Sequence, residues 1–226
     1  MNNPTMSDTK ALVCNEEKHG PPKGSPRKGE MMLWASLLAL ANLSLLNGKA
    51  STNLAFFLPD VEGGQWWRVF TFPFVHVSWY NLILDGSAFL LLYHGIEEEK
   101  RSKRLFYVLI PTVTSLLYPL LFSPLIERSG LCGLSGCAHG LMAITGLELI
   151  RRYPKGDFLH KTGLIYFLTV FVKSIIEATT GQVLFAGLHF GDVGLPIAES
   201  HLGGLLGGIV IFFFLNRKNG LIRNNY

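Results

Sequence analysis

Residues 201–215 read HLGGLLGGIVIFFFL. One histidine opens a stretch that holds no other ionisable or amide side chain. Its apolar residues follow no amphipathic stripe, so a helix built from them is apolar on every side. Such a helix belongs in a large core or in a bilayer. Extended back to Ala198 the block is 18 residues long, close to the length that crosses hydrocarbon. Gly204 and Gly208 lie three and seven residues after His201, so they share its face. Small residues at that spacing let a second membrane helix approach closely.

The rest of the chain has the same character. Of its 226 residues 49% are hydrophobic and 16% charged, where soluble domains carry roughly 25% charged residues. Five more apolar blocks precede the last: Met31–Leu46, Val75–Gly95, Leu105–Phe122, Leu134–Ile150 and Thr162–Thr180. The sequence therefore predicts an all-α membrane protein with six transmembrane helices in one domain over residues 31–215. Residues 1–30, with the run KHGPPKGSPRKGE, are too polar to fold alone. They predict a disordered cytoplasmic tail, and residues 216–226 a second, shorter one. Arg27 and Lys28 before the first block imitate a signal peptide, but no small-x-small cleavage site follows.

Lys and Arg set the expected orientation. Sixteen of the 20 fall in the two tails and in the loops EEEKRSKR and RRYPKGDFLHK. Lys49, Arg68 and Arg128 fall on the other side, and Lys173 lies inside a block. Both termini are thus expected in the cytoplasm. The net charge of +4 is a topology signal, with nothing to suggest nucleic-acid binding. Cys14, Cys132 and Cys137 are odd in number and form no C-x-x-C. Apolar packing is the expected role of the last two, and neither metal nor other cofactor is expected.

Polar groups inside a bilayer are costly without a partner or a function. Asn81 and Asp85 fall in the second block, Ser135 and His139 in the fourth, Lys173 and Glu177 in the fifth and His201 in the sixth. With the orientation above, the second, fourth and sixth blocks each place theirs in the outer half of the membrane. One serine and one histidine on separate helices suit nucleophilic acyl transfer, because a serine hydroxyl needs an adjacent base. Ser135 opens a helix, where unpaired N–H groups face an incoming oxyanion. The Asn81 amide is a further candidate donor. Gly133 and Gly136 allow the sharp turn and close backbone approach around the serine. Lys173 and Glu177, four residues apart, are expected to neutralise one another along their helix. The outer loop around His189 is a candidate lid, and His76 is expected to fix the entry of the second span.

These residues resemble the rhomboid intramembrane serine proteases. The likeness rests on G-x-S-G at Gly133–Gly136, His-x-x-Gly-x-x-x-Gly from His201 to Gly208, and GQWWR ending in Trp67 and Arg68. It covers roughly residues 63 to 215. It implies a six-helix rhomboid-like bundle, a dyad of Ser135 as nucleophile and His201 as base, and a loop element carrying Trp67 and Arg68 partly embedded in the membrane. GLSGCAHG, with His139 four residues after the serine, is similar to the rhombosortase subtype. His139 then takes the place of the aromatic residue that stacks on the catalytic histidine. That subtype implies Gly-Gly-type C-terminal sorting tails of membrane-anchored proteins as substrates, and a bacterial inner membrane. The second block departs from the family's His-x4-His-x3-Asn, reading His76-VSWY-Asn81-LIL-Asp85. An ionised Asp85 cannot donate to an oxyanion, whereas a protonated one can. A pseudoenzyme that binds transmembrane segments without cutting them is the alternative. A metal or ion carrier using Asp85, His139, His201 and the cysteines is a third reading, without ligand spacing to support it.

Overall fold

The computed structural model describes residues 28–184 and 190–217. His189 and nearly all of both expected tails lie outside the described residues. Six long helices carry the chain: α1 (Lys28–Ala41), α4 (Trp79–Gly95), α5 (Arg101–Phe122), α7 (Ser135–Arg152), α8 (Phe158–Thr180) and α9 (Ala198–Asn216). Short helices α2 (Leu58–Glu62), α3 (Arg68–Thr71) and α6 (Leu125–Ser129) lie in the connections. The only β pairing among the described residues is an isolated antiparallel bridge between Phe56 and Leu131.

Four of these segments are long and apolar enough to cross a membrane: Lys28–Asn47, Arg101–Phe122, Phe158–Thr180 and Ala198–Asn216. A fifth is reached if Arg68–Phe74 and Trp79–Gly95, bent by 92°, form one broken span. α7 is long enough at 18 residues, but Glu148, Arg151 and Arg152 at its end leave it too polar to count among them. The fourth block, expected as a span, is helical, but its closing charges keep it from the segments apolar enough to cross a membrane.

Two of the differences from the apolar blocks have a polar reason. α1 stops at Ala41, and a 3-10 turn (Leu43–Asn47) completes the segment. At the break, the buried Asn42 donates to the carbonyls of Leu38 and Phe74 at 2.8 and 2.7 Å. Its Oδ1 accepts the His76 N–H at 2.8 Å. The second helix begins at Trp79 instead of Val75, because Ser78 is extended and its hydroxyl accepts the Asn81 N–H at 3.0 Å, a side-chain N-cap.

α9 is the most buried of the candidate spans and packs chiefly against α5 and α7, then α8. Its glycines make this possible on two faces. Gly203 and Gly207 lie against Thr114 of α5, and Gly204 and Gly208 against the backbone of Gly136 and Gly140 of α7. A methyl group at Gly208 would stand 2.5 Å from the Gly140 carbonyl oxygen. α7 and α9 thus meet backbone to backbone, in keeping with the glycine pattern of residues 201–208. The main apolar core gathers Phe89, Tyr93, Tyr107, Leu141, Ile144 and Phe212.

Candidate active site

Ser135 is the first residue of α7, and the chain reaches it through Gly133 at φ 97°. That left-handed conformation suits glycine. A side chain there would also come within 3.0 Å of Asp85 Oδ2. The Gly133 N–H is bonded to the Phe72 carbonyl at 3.0 Å, which fixes the turn to the segment preceding α4. Gly136 allows contact with Ser115 of α5 and the Ser200 carbonyl of α9.

His201, in the first turn of α9, faces this turn. Its Nε2 lies 3.1 Å from Ser135 Oγ and its Nδ1 2.7 Å from Glu177 Oε2. A carboxylate only accepts, so Nδ1 carries the proton. Nε2 then presents its lone pair to the serine hydroxyl. His139 stacks on the His201 ring with centroids 4.0 Å apart and planes 8° from parallel. It is fixed in turn by Nδ1–H donating to the Ser135 carbonyl at 2.7 Å. Lys173 donates to His139 Nε2 at 2.9 Å and to Glu177 Oε1 at 2.6 Å. One nitrogen from each histidine and one Glu177 oxygen lie within 4.8 Å of one another, a spacing that suits a metal ion. The Lys173 ammonium already stands among them, bonded to two of the three residues.

Across the site, α4 supplies Asn81 and Asp85, both buried. The Asn81 amide donates to Asp85 Oδ2 at 3.3 Å, and its oxygen accepts the Val77 N–H at 3.4 Å. The Asp85 carboxyl is also turned toward the backbone N–H groups of Leu134 and Ser135. It therefore stands where a negatively charged oxygen formed at Ser135 would seek its donors. The fully buried His76 completes this wall, its Nε2 3.8 Å from Asp85 Oδ2 and without a hydrogen-bond partner among the described residues.

A cavity of about 720 Å³ opens onto these groups, lined among others by Ser135, His201, His139, Lys173, Asn81 and Asp85. Cys132 also lines it. Burial pushes its thiol up to about 11. It is thus a protonated thiol near neutral pH, which makes it a poor nucleophile. Cys137 is buried and donates weakly to the Val108 carbonyl at 3.6 Å.

The connection between α1 and α4 is held by Arg68. Its guanidinium donates to the carbonyls of Thr52 and Ala55 at 2.5 and 2.7 Å, to Gln65 at 2.9 Å, and pairs with Asp60 at 3.0 Å. Trp67 donates to the Asn53 carbonyl at 3.3 Å with its ring half exposed. Neither residue reaches Ser135; they shape the loop flanking the cavity.

A rhomboid-domain model matches residues 63–218, more than half of the chain. The chain belongs to the rhomboid family. No curated protein matches it. Rhomboids are typically intramembrane serine proteases acting on transmembrane substrates, and the apolar helices fit an integral membrane protein. In this rhomboid, Asn81, Asp85, Ser135, His139 and His201 line one cavity, whereas Gly136, Gly204 and Gly208 lie in the helix contacts behind it. Two residues at the site were not assigned to it from sequence. Glu177 was paired with Lys173 alone, although its place near the end of a span, level with His201, is a signal for a second partner. Asn42, inside the first apolar block, anchors His76.

Proposed function

We propose that this rhomboid is an intramembrane serine endopeptidase with Ser135 as nucleophile and His201 as general base. The supporting observation is the 3.1 Å contact between Ser135 Oγ and a His201 nitrogen whose ring partner fixes the lone pair toward it. Ser135 Oγ attacks the substrate carbonyl carbon while its proton passes to Nε2. The C–N bond then breaks as that proton moves to the departing amine, leaving an acyl-enzyme. Water, or an amine in a transfer reaction, attacks the ester and regenerates the serine. The N–H groups at the start of α7 and the Asn81 amide are the oxyanion donors in this scheme. Asp85 serves it only as the neutral acid, since an anion there repels the developing charge. Trp67 and Arg68 shape the loop beside the entry.

The proposed setting is a six-span bundle over residues 31–215 with both termini cytoplasmic and the cavity opening to the outer face. The charge distribution of the sequence supports it. Resemblance to rhombosortases supports a bacterial inner membrane and substrates with Gly-rich, C-terminal membrane anchors. Glycine-rich helices unwind at little cost, so such segments suit a site that needs extended backbone.

A second reading, a rhomboid-like pseudoenzyme that binds transmembrane segments, draws on one observation. Asp85 faces the very N–H groups an oxyanion needs.

The test is labelling of the detergent-purified protein by a fluorophosphonate probe. Labelling of wild type that is lost in Ser135→Ala and reduced at least 10³-fold in His201→Ala is expected. A folded wild type that takes no label would overturn the enzyme and leave the pseudoenzyme.

A further inference from the structure

Lys173 and Glu177 read from sequence as a pair that only neutralises itself. Both have further engagements in the fold. Glu177 has no exposed surface, and both of its oxygens are used. Oε2 takes the His201 Nδ1–H; Oε1 takes the Lys173 ammonium and the backbone N–H of Leu184 at 2.8 Å. α8 ends at this point: Gly181 adopts φ 66° and returns its N–H to the Glu177 carbonyl at 2.8 Å. The left-handed turn brings Leu184 back over the carboxylate.

We propose that Glu177 is a positioning residue that extends the pair to Ser135–His201–Glu177, and that Lys173 anchors it. The proposal rests on the reading of Ser135 and His201 as nucleophile and base. The hydrogen bonds assign the roles. Glu177 holds the His201 edge and fixes the tautomer with its lone pair on the serine. His139 holds the His201 face by stacking. Lys173 binds both supports at once, so a single ammonium sets the edge and the face of the base.

The charges divide the work further. When the serine proton reaches Nε2, the imidazolium gains a carboxylate at 2.7 Å, which stabilises it. The Lys173 charge opposes part of that gain and keeps the histidine from holding its proton too tightly. The ionisable groups around His201 are Glu177 and Lys173 from α8, His139 from α7, and Asp85 from α4 across the cavity.

The test is the rate of fluorophosphonate labelling against pH for wild type, Glu177→Gln, Glu177→Asp, Lys173→Met and Ser135→Ala, with thermal unfolding of each. A glutamine keeps the volume but lets an N–H face Nδ1 and favours the wrong tautomer. Glu177→Gln is expected to label about 10²- to 10⁴-fold more slowly, with partial recovery in Glu177→Asp. The acid limb of the profile is expected to move to lower pH in Glu177→Gln and to higher pH in Lys173→Met. A merely structural role lowers the amplitude without moving the limb. If wild type labels, Ser135→Ala does not, and folded Glu177→Gln keeps both rate and profile, Glu177 does not position the base and the proposal falls alone. If Glu177→Gln fails to fold, a Lys173→Met profile identical to wild type overturns it instead. A folded wild type that never labels overturns the underlying reading of Ser135, and this proposal with it.

Discussion

Gly208→Ala is a small change placed two helical turns, about 10.5 Å, from His201. The added methyl would lie 2.5 Å from the Gly140 carbonyl oxygen and 2.9 Å from its Cα. Ordinary contact begins at about 3.4 Å, so α7 and α9 must part by about 0.9 Å. Movement toward α5 is blocked, because Gly203 and Gly207, about 100° round the helix, already sit against Thr114 and Tyr118. If α9 moves as a rod, the 3.1 Å contact between Ser135 and His201 stretches to about 4 Å, beyond hydrogen-bond reach. A misplacement of that size costs roughly 10²-fold in rate. The stability change is smaller. Overpacking costs about 1–3 kcal/mol, and alanine returns roughly 1 kcal/mol through its helix preference. Fluorophosphonate labelling of Gly208→Ala should therefore slow far more than its unfolding temperature falls. Gly95→Ala, with nothing within 4 Å of the new methyl, should label as wild type. A folded Gly208→Ala that labels at the wild-type rate would refute the claim that backbone contact between α7 and α9 sets the distance at the site.

Asp85→Asn replaces a carboxyl facing the Leu134 and Ser135 N–H groups with an amide able to donate. A neutral Asp85 already donates and an ionised one cannot, so Asp85→Asn should label at least as fast as wild type and gain most at high pH; removal of an oxyanion-hole donor elsewhere costs about 10²–10³-fold. Slower labelling than wild type would sink that account of Asp85. Asn42→Ala leaves the His76 N–H and the Phe74 carbonyl without their partners, at about 1–3 kcal/mol for each group left unsatisfied. Its unfolding temperature in detergent should fall clearly, and an unchanged one would show that the break after α1 needs no such anchor.

The sequence by itself determined the helical class and the residues at stake. Six apolar blocks correspond to six long helices because continuous apolar runs of that length have few other ways to satisfy their backbone in a bilayer. Ser135 and His201 were legible because each is out of place in such a run, and Gly133, Gly136, Gly204 and Gly208 by their spacing from them. Gly204 and Gly208 were legible as one packing face; the second, Gly203 and Gly207 against Thr114 of α5, came from the structure. The helix limits were less legible, since Asn42 and Ser78 act through partners 34 and three residues away.

Only the tertiary structure decided which partner each polar group takes. Glu177 pairs with Lys173 through a helical spacing that any sequence reading finds. Its bond to His201, 24 residues on, exists because α8 and α9 pack side by side. In the same way Asn81 is turned to Asp85, and His139 to both Lys173 and the His201 ring. A low-dielectric interior requires that buried polar groups find partners, and composition and spacing show which groups must do so. Helix packing chooses the partner, and that choice is what turns a serine and a histidine into a candidate active site.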